Sequence, residues 1–230
     1  MKLLIEEIDF QNCEVLTEGT GPQKSYSIKG IFMQGWDQLR ESPVINRNGR
    51  AYPLPILTRE AKRYCENYVN SGSAFGELDH PPTPQINLRN VSHRITELKQ
   101  DGSNFIGTAK LLETDAGKTA RALIEGGCRL GVSSRGVGNL DRTDKGFAVV
   151  KEDYHLITPA DIVADPSAPK AFVTAMMEGA DWVYLDGKGW TERYIEQGQK
   201  AMNEAHKTDR AALQLKLFEG FLQRLRSNIV

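Results

Sequence analysis

Two short stretches carry residue types that can do chemistry. The first, Gly131-Val132-Ser133-Ser134-Arg135-Gly136, sets two hydroxyls beside a guanidinium and closes both ends with glycine. Serine is a feeble nucleophile near neutral pH unless a neighbouring base takes its proton during attack. The second stretch, Gly76-Glu77-Leu78-Asp79-His80-Pro81-Pro82, offers such a base, because the pKa of histidine lies close to the working pH. Its double proline fixes the backbone after His80 and bars a helix there. Of four histidines, His80 is the most restricted; His93 and His155 fall within expected strands, and His206 in a charged C-terminal stretch. The 131–136 stretch makes a poor core strand and a poor helix, so its surroundings must hold it. Its glycines permit close approach of other groups, and Arg135 can set a fixed positive charge beside a hydroxyl. The residues alone do not separate Ser133 from Ser134, although strand alternation would turn only one of them towards a histidine.

Other chemistries fit less well. Glu77, Asp79, His80 and His93 could be imagined around a metal, but their spacing is not that of HExxH or another tight ligand motif. Cys128, shortly before Ser133, is an alternative nucleophile. Cys13, Cys65 and Cys128 are odd in number, far apart and without a CxxC pair, which argues against a disulfide framework or zinc knuckle. They read as ordinary buried thiols. A non-catalytic scaffold or core protein is the stronger rival to an enzyme.

The elements that must position these residues belong to an ordinary globular chain. It has 230 residues, 40% of them apolar, and a net charge of -1, with a pI near 6.4. That is enough chain for one domain with a substantial appendage, and no basic excess argues for a nucleic-acid partner. There is no apolar run of about 18 residues, and Met1-Lys2-Leu3-Leu4-Ile5 is cut short by Glu6, Glu7 and Asp9. Neither a membrane span nor a secretory signal is therefore expected, and the chain is expected to work in the cytosol.

Along the chain, Tyr26–Met33 reads as a strand that begins with alternation and becomes apolar on both faces. Ile56, Leu57, Ala61, Tyr64, Cys65 and Val69 have helical spacing, closed by Ser71-Gly72. Residues 90–100 and 104–112 form a hairpin about Asp101-Gly102, and Thr114-Asp115 opens a helix that Gly126-Gly127 ends. A second hairpin turns at Thr143–Gly146, with Phe147–Thr158 as its return strand and Ile162-Val163 as a further short strand. Without regular strand–helix alternation, a mostly antiparallel sheet or barrel with helices outside it is predicted. From Trp190 onwards Tyr194, Ile195, Met202, Leu213, Leu217, Phe218, Phe221, Leu222 and Leu225 recur at helical spacing.

Gly76-Glu77-Leu78-Asp79-His80-Pro81, followed by Gly131–Gly136, resembles the paired motifs of the prohead core proteases of T-even-type tailed phages. Gly30-Ile31-Phe32-Met33-Gln34, Val44–Asn48 with Tyr52-Pro53, and Pro166-Ser167-Ala168-Pro169 agree in order, so the resemblance spans roughly residues 26–174. It implies a capsid-maturation serine protease, distantly related to herpesvirus assemblin. The implied fold class is α+β: a mostly antiparallel β-barrel surrounded by helices over residues 1–175, with a helical C-terminal extension over 176–230. His80 would be the base and Ser133 the nucleophile, within hydrogen-bond reach of each other. Asp161 stands where related phage proteases place an acidic residue. The herpesvirus relatives use a second histidine, which keeps His155 and His93 open, and Asp79 or Glu77 remain further alternatives. Ser134 and Arg135 stand in support: Arg135 or nearby backbone N–H groups supply the oxyanion hole, or Arg135 is a structural ion-pair partner.

No cofactor and no metal are expected. The implied substrates are phage scaffold or core proteins, the major capsid protein and the chain itself, inside the assembling prohead in the host cytoplasm, with self-association. Cleavage would follow glutamate in apolar-x-Glu sequences. Leu16-Thr17-Glu18 before Gly19 and Leu217-Phe218-Glu219 before Gly220 lie near the termini, where trimming is expected. Leu123-Ile124-Glu125 before Gly126 lies in an expected helix and should be protected.

Overall fold

The computed structural model describes residues 1–8, 13–18, 25–39, 43–46, 48–128, 130–164, 182–185 and 189–192. Two antiparallel sheets organise them. The larger has the order β2 (Cys13–Glu18), β3 (Ser25–Gln34), β7 (Asn104–Leu111), β6 (Val91–Asp101) and β5 (Phe75–Glu77). The smaller sets β8 (Gly131–Gly138) between β1 (Lys2–Ile8) and β11 (His155–Val163). They meet just beyond β5, where Leu78 bridges Ile162 of β11 in parallel fashion and the Asp79 N–H donates to the Ile162 carbonyl at 2.7 Å. Strand neighbours therefore run without a break from β2 to β1. Among the described residues the ladders do not close into the expected barrel.

Local chemistry accounts for these elements. In β3, Tyr26 and Ile28 are buried and Lys29 is exposed, as alternation requires; a register shift between Ile31 and Met33 then lets both Phe32 and Met33 turn inward. Helix α1 (Leu54–Tyr64) starts behind Pro53 and buries Ile56, Leu57, Ala61 and Tyr64, then relaxes into a π-helical turn over Cys65–Val69. Gly72, at φ 75°, follows it. Helix α2 (Asp115–Glu125) is capped by Thr114, whose hydroxyl accepts the Gly117 N–H at 3.1 Å. The β6–β7 hairpin turns at Gly102, at φ 58°.

Four expectations need correction. The 131–136 stretch is the central, wholly buried strand of the smaller sheet rather than a misfit, because its one charge meets buried partners. A turn after β10 (Ala148–Val150), which pairs with β9 (Leu140–Arg142) and β4 (Arg50–Ala51), separates it from β11. The predicted 147–158 and 162–163 strands are thus divided in the wrong place. Residues Trp182–Leu185 and Gly189–Glu192 pair as strands β12 and β13, so the helical extension expected over 176–230 fails at both; the rest of that extension and His206 lie outside the described residues. Cys128 is exposed rather than buried, beyond the end of α2.

Helix α1 also closes the outer edge of β11. The Glu60 carboxylate accepts the Leu156 N–H at 2.9 Å, and Arg63 donates to the Leu156 carbonyl at 2.6 Å. Arg59 donates to the Tyr154 carbonyl at 2.9 Å. Gly136 explains the end of its motif: a β-carbon there would stand 2.5 Å from the Tyr154 ring, which is buried and edge-on to Tyr52 with centroids 5.3 Å apart. Gly136→Ala is expected to destabilise the fold by about 1–3 kcal/mol, read as a lowered midpoint in denaturant titration.

Candidate active site

Three elements converge on one buried carboxylate. Asp161 lies on β11 opposite Ser133 of β8, so their side chains share a face of the sheet. Arg135, two residues beyond Ser133, is on that face too, and Ser134 is turned to the other. The chain leaving β5 brings in His80, whose Nδ1 stands 3.1 Å from Asp161 Oδ2. Asp161 Oδ1 accepts the Glu77 N–H at 2.9 Å. Carboxylates accept only, so His80 donates through Nδ1 and Nε2 is its basic nitrogen. Nε2 is buried and makes no hydrogen bond among the described residues, so the expected Ser133–His80 bond is not formed here. Such bonds commonly tighten only when substrate is bound.

His80 is aimed by backbone devices. Asp79 holds φ at 68°, in the left-handed region, and its Oδ1 accepts the His80 N–H at 2.9 Å. Asp79 thus serves the histidine's backbone rather than its ring. At Gly76 a β-carbon would lie 2.1 Å from His93 Nε2 and 2.3 Å from the Ala160 carbonyl. The glycine leaves room for the 3.0 Å hydrogen bond between these two groups. That bond makes Nε2 the protonated nitrogen of His93, and Nδ1 accepts from the Ser92 hydroxyl at 2.9 Å. Burial pushes the His93 imidazole down, keeping it neutral.

The remaining candidates separate cleanly. Arg135 is wholly buried: Nε lies 3.0 Å from Asp161 Oδ2, Nη2 pairs with Glu77, and Nη1 donates to the Thr83 carbonyl at 2.6 Å. That is the geometry of an ion-pair partner. Glu77, also wholly buried, takes the Asn87 N–H at 3.1 Å on its other oxygen. His155 stands at the far end of β11, 3.9 Å from Glu60 Oε2, and burial together with Arg63 pushes its imidazole down. The four residues considered for a metal do not converge: Glu77 is taken by Arg135, Asp79 by the His80 N–H, and His93 by Ser92 and Ala160. The composite role of Glu77 was missed in sequence. Its only signal was a carboxylate three residues before His80.

Electrostatics divide the two carboxylates. Burial alone would raise Asp161, but Arg135, then the His80 hydrogen bond and charge, hold its carboxyl below the usual range. Burial pushes Glu77 up despite Arg135, because one guanidinium is shared and Asp161 has His80 besides. Since the Asp161 value is lower folded than unfolded, its carboxylate adds stability that is present above about pH 4 and lost as the pH falls further. Asp161→Asn should lose about 3 kcal/mol at neutral pH, and the gap to wild type should narrow below about pH 4; a pH-independent gap in denaturant titrations would contradict this. Asp79→Asn, which tolerates the left-handed region and keeps an Oδ1 acceptor, should hold the His80 backbone in place. Asp79→Val, which resists the left-handed region by about 1–2 kcal/mol and has no acceptor, should depress catalysis far more.

Comparisons with known proteins show the family. Residues 11–181 match the family model described as prohead core protein serine protease. The chain is 38% identical over 149 residues to the prohead core protein protease of Enterobacteria phage T4, covering 64% of this chain and 67% of that protein. The solved structure of the bacteriophage T4 capsid assembly protease superposes with a TM-score of 0.64 at 33% identity, over 72% of this chain and 98% of that one. On the family match over residues 11–181, the chain belongs to the prohead core protein serine proteases.

Proposed function

We propose that this chain is a serine endopeptidase that cleaves core, scaffold and capsid proteins, and itself, within an assembling phage prohead, with Ser133 as nucleophile, His80 as base and Asp161 as the orienting acid. The observation that carries the reading is the 3.1 Å contact of His80 Nδ1 with Asp161, whose strand partner is Ser133, while His80 Nε2 stays unpartnered. His80 Nε2 takes the Ser133 proton as Oγ attacks the scissile carbonyl carbon. It returns that proton to the amine as the C–N bond breaks. Water then hydrolyses the acyl-enzyme by the same route. Asp161 holds the productive tautomer and stabilises the imidazolium. Arg135 is committed to two carboxylates and a carbonyl, so the oxyanion falls to backbone N–H donors.

Residues 1–175 carry this activity in our reading, with 176–230 as an appendage removed by trimming. A barrel of the herpesvirus-assemblin type is supported by the strand order, whose two ends, β1 and β2, are consecutive in sequence. Self-association and cleavage after glutamate are part of the same proposal. The Glu125–Gly126 bond ends α2 in an exposed position, so it is less protected than a mid-helix bond; Glu18 closes β2, with Gly19 outside the described residues, as Glu219–Gly220 is.

Co-expression with a capsid or scaffold substrate tests the reading. Ser133→Ala and His80→Ala should each lower cleavage by about 1,000-fold or more, whereas Ser134→Ala should retain most activity. Terminal mapping by mass spectrometry should find new C-termini at glutamate. Wild-type cleavage in both of the first two variants would sink the serine-protease assignment and favour a structural core protein.

A further inference from the structure

We propose that Glu77 and Arg135 are a positioning pair: buried together, they fix the Asp161 carboxylate against His80 and tie down the loop that follows His80. This rests on the serine-protease reading of Ser133, His80 and Asp161. Asp161 touches Arg135 through both oxygens, Oδ2 at 3.0 Å from Nε and Oδ1 at 3.4 Å from Nη2. Among the described residues Nε makes no aligned hydrogen bond, so the guanidinium holds the carboxylate by its fixed charge and by the Nη2 contact to Oδ1. Oδ2 is the oxygen that meets His80. Any rotation of the carboxylate would turn Oδ2 off the imidazole.

The same pair controls the histidine from the other side. Arg135 Nη1 holds the Thr83 carbonyl at 2.6 Å, and Glu77 Oε1 holds the Asn87 N–H at 3.1 Å, so the loop after His80 is fastened at two points. Glu77 adds its own N–H to Asp161. These contacts run to the orienting acid and the loop rather than to the reacting atoms, so both residues act through Asp161 and His80. A misplacement of about 1 Å costs up to about 100-fold in rate, which sets the size of effect to expect.

The test uses the full chain carrying Glu77→Gln, Arg135→Lys or Arg135→Met, each compared with wild type by circular dichroism, by steady-state cleavage of a peptide substrate, and by proton NMR in the Ser133→Ala background. The expected result is a native fold, a kcat lowered about 10- to 100-fold with KM little changed, a smaller loss in Arg135→Lys than in Arg135→Met, and a shifted or missing downfield resonance for the His80 Nδ1 proton. Folded variants with wild-type kcat and an unmoved resonance would overturn the positioning role. So would failure of both Glu77→Gln and Arg135→Lys to fold, which would make the pair a structural bridge alone. Failure of the underlying reading is told apart by Ser133→Ala, which would then cleave like wild type whatever the pair does.

Discussion

One guanidinium shared by two carboxylates, with none of the three groups open to solvent, is the constraint on which the site depends. Burying such charges is expensive and stabilises little unless every group is paired. The chain meets that condition by bringing β5, β8, β11 and the loop after His80 to a single point. Charge counting gives the arrangement a direction. With both carboxylates ionised and His80 neutral, the cluster carries one negative charge too many. If His80 takes the proton of a serine, as proposed, that excess disappears, and the surroundings would then suit the charge distribution of the reaction better than that of the resting state.

Much of this was legible in sequence because the signals were local. Turn glycines, the Thr114 cap and the apolar spacing of α1 each act over a few residues, and those elements were placed well. The two motifs also announced themselves, since a histidine before two prolines and a Ser-Ser-Arg run are unusual wherever they fall. What escaped was non-local. Nothing near Arg135 in the chain shows that Glu77 and Asp161 neutralise it, so a central strand looked like a misfit. The acidic N-terminal residues hid β1 and β2, whose strand character comes from their partners β8 and β3. The bulges of β11 broke the alternation that would have identified it as a single strand.

A second charged cluster solves a different problem with similar parts. Glu60 sits between Arg59 and Arg63 on α1 and, with Arg63, occupies the backbone groups of Leu156. An edge strand with free N–H and C=O groups invites pairing with another chain. Here the helix supplies an acceptor and a donor where a neighbouring strand would have placed its own. The Asp161 cluster uses buried charge to orient a side chain; the Glu60 cluster uses it to finish a sheet.

The complete burial of Ser133 and of His80 Nε2 has a kinetic meaning. If Ser133 is the nucleophile, no polypeptide can reach it in this conformation, and turnover is the intrinsic rate multiplied by the fraction of molecules that are open. A partner that binds only the open form raises that fraction without touching the chemistry. Proteolysis then becomes a gated process, whose timing is written in a conformational equilibrium rather than in the strength of the nucleophile.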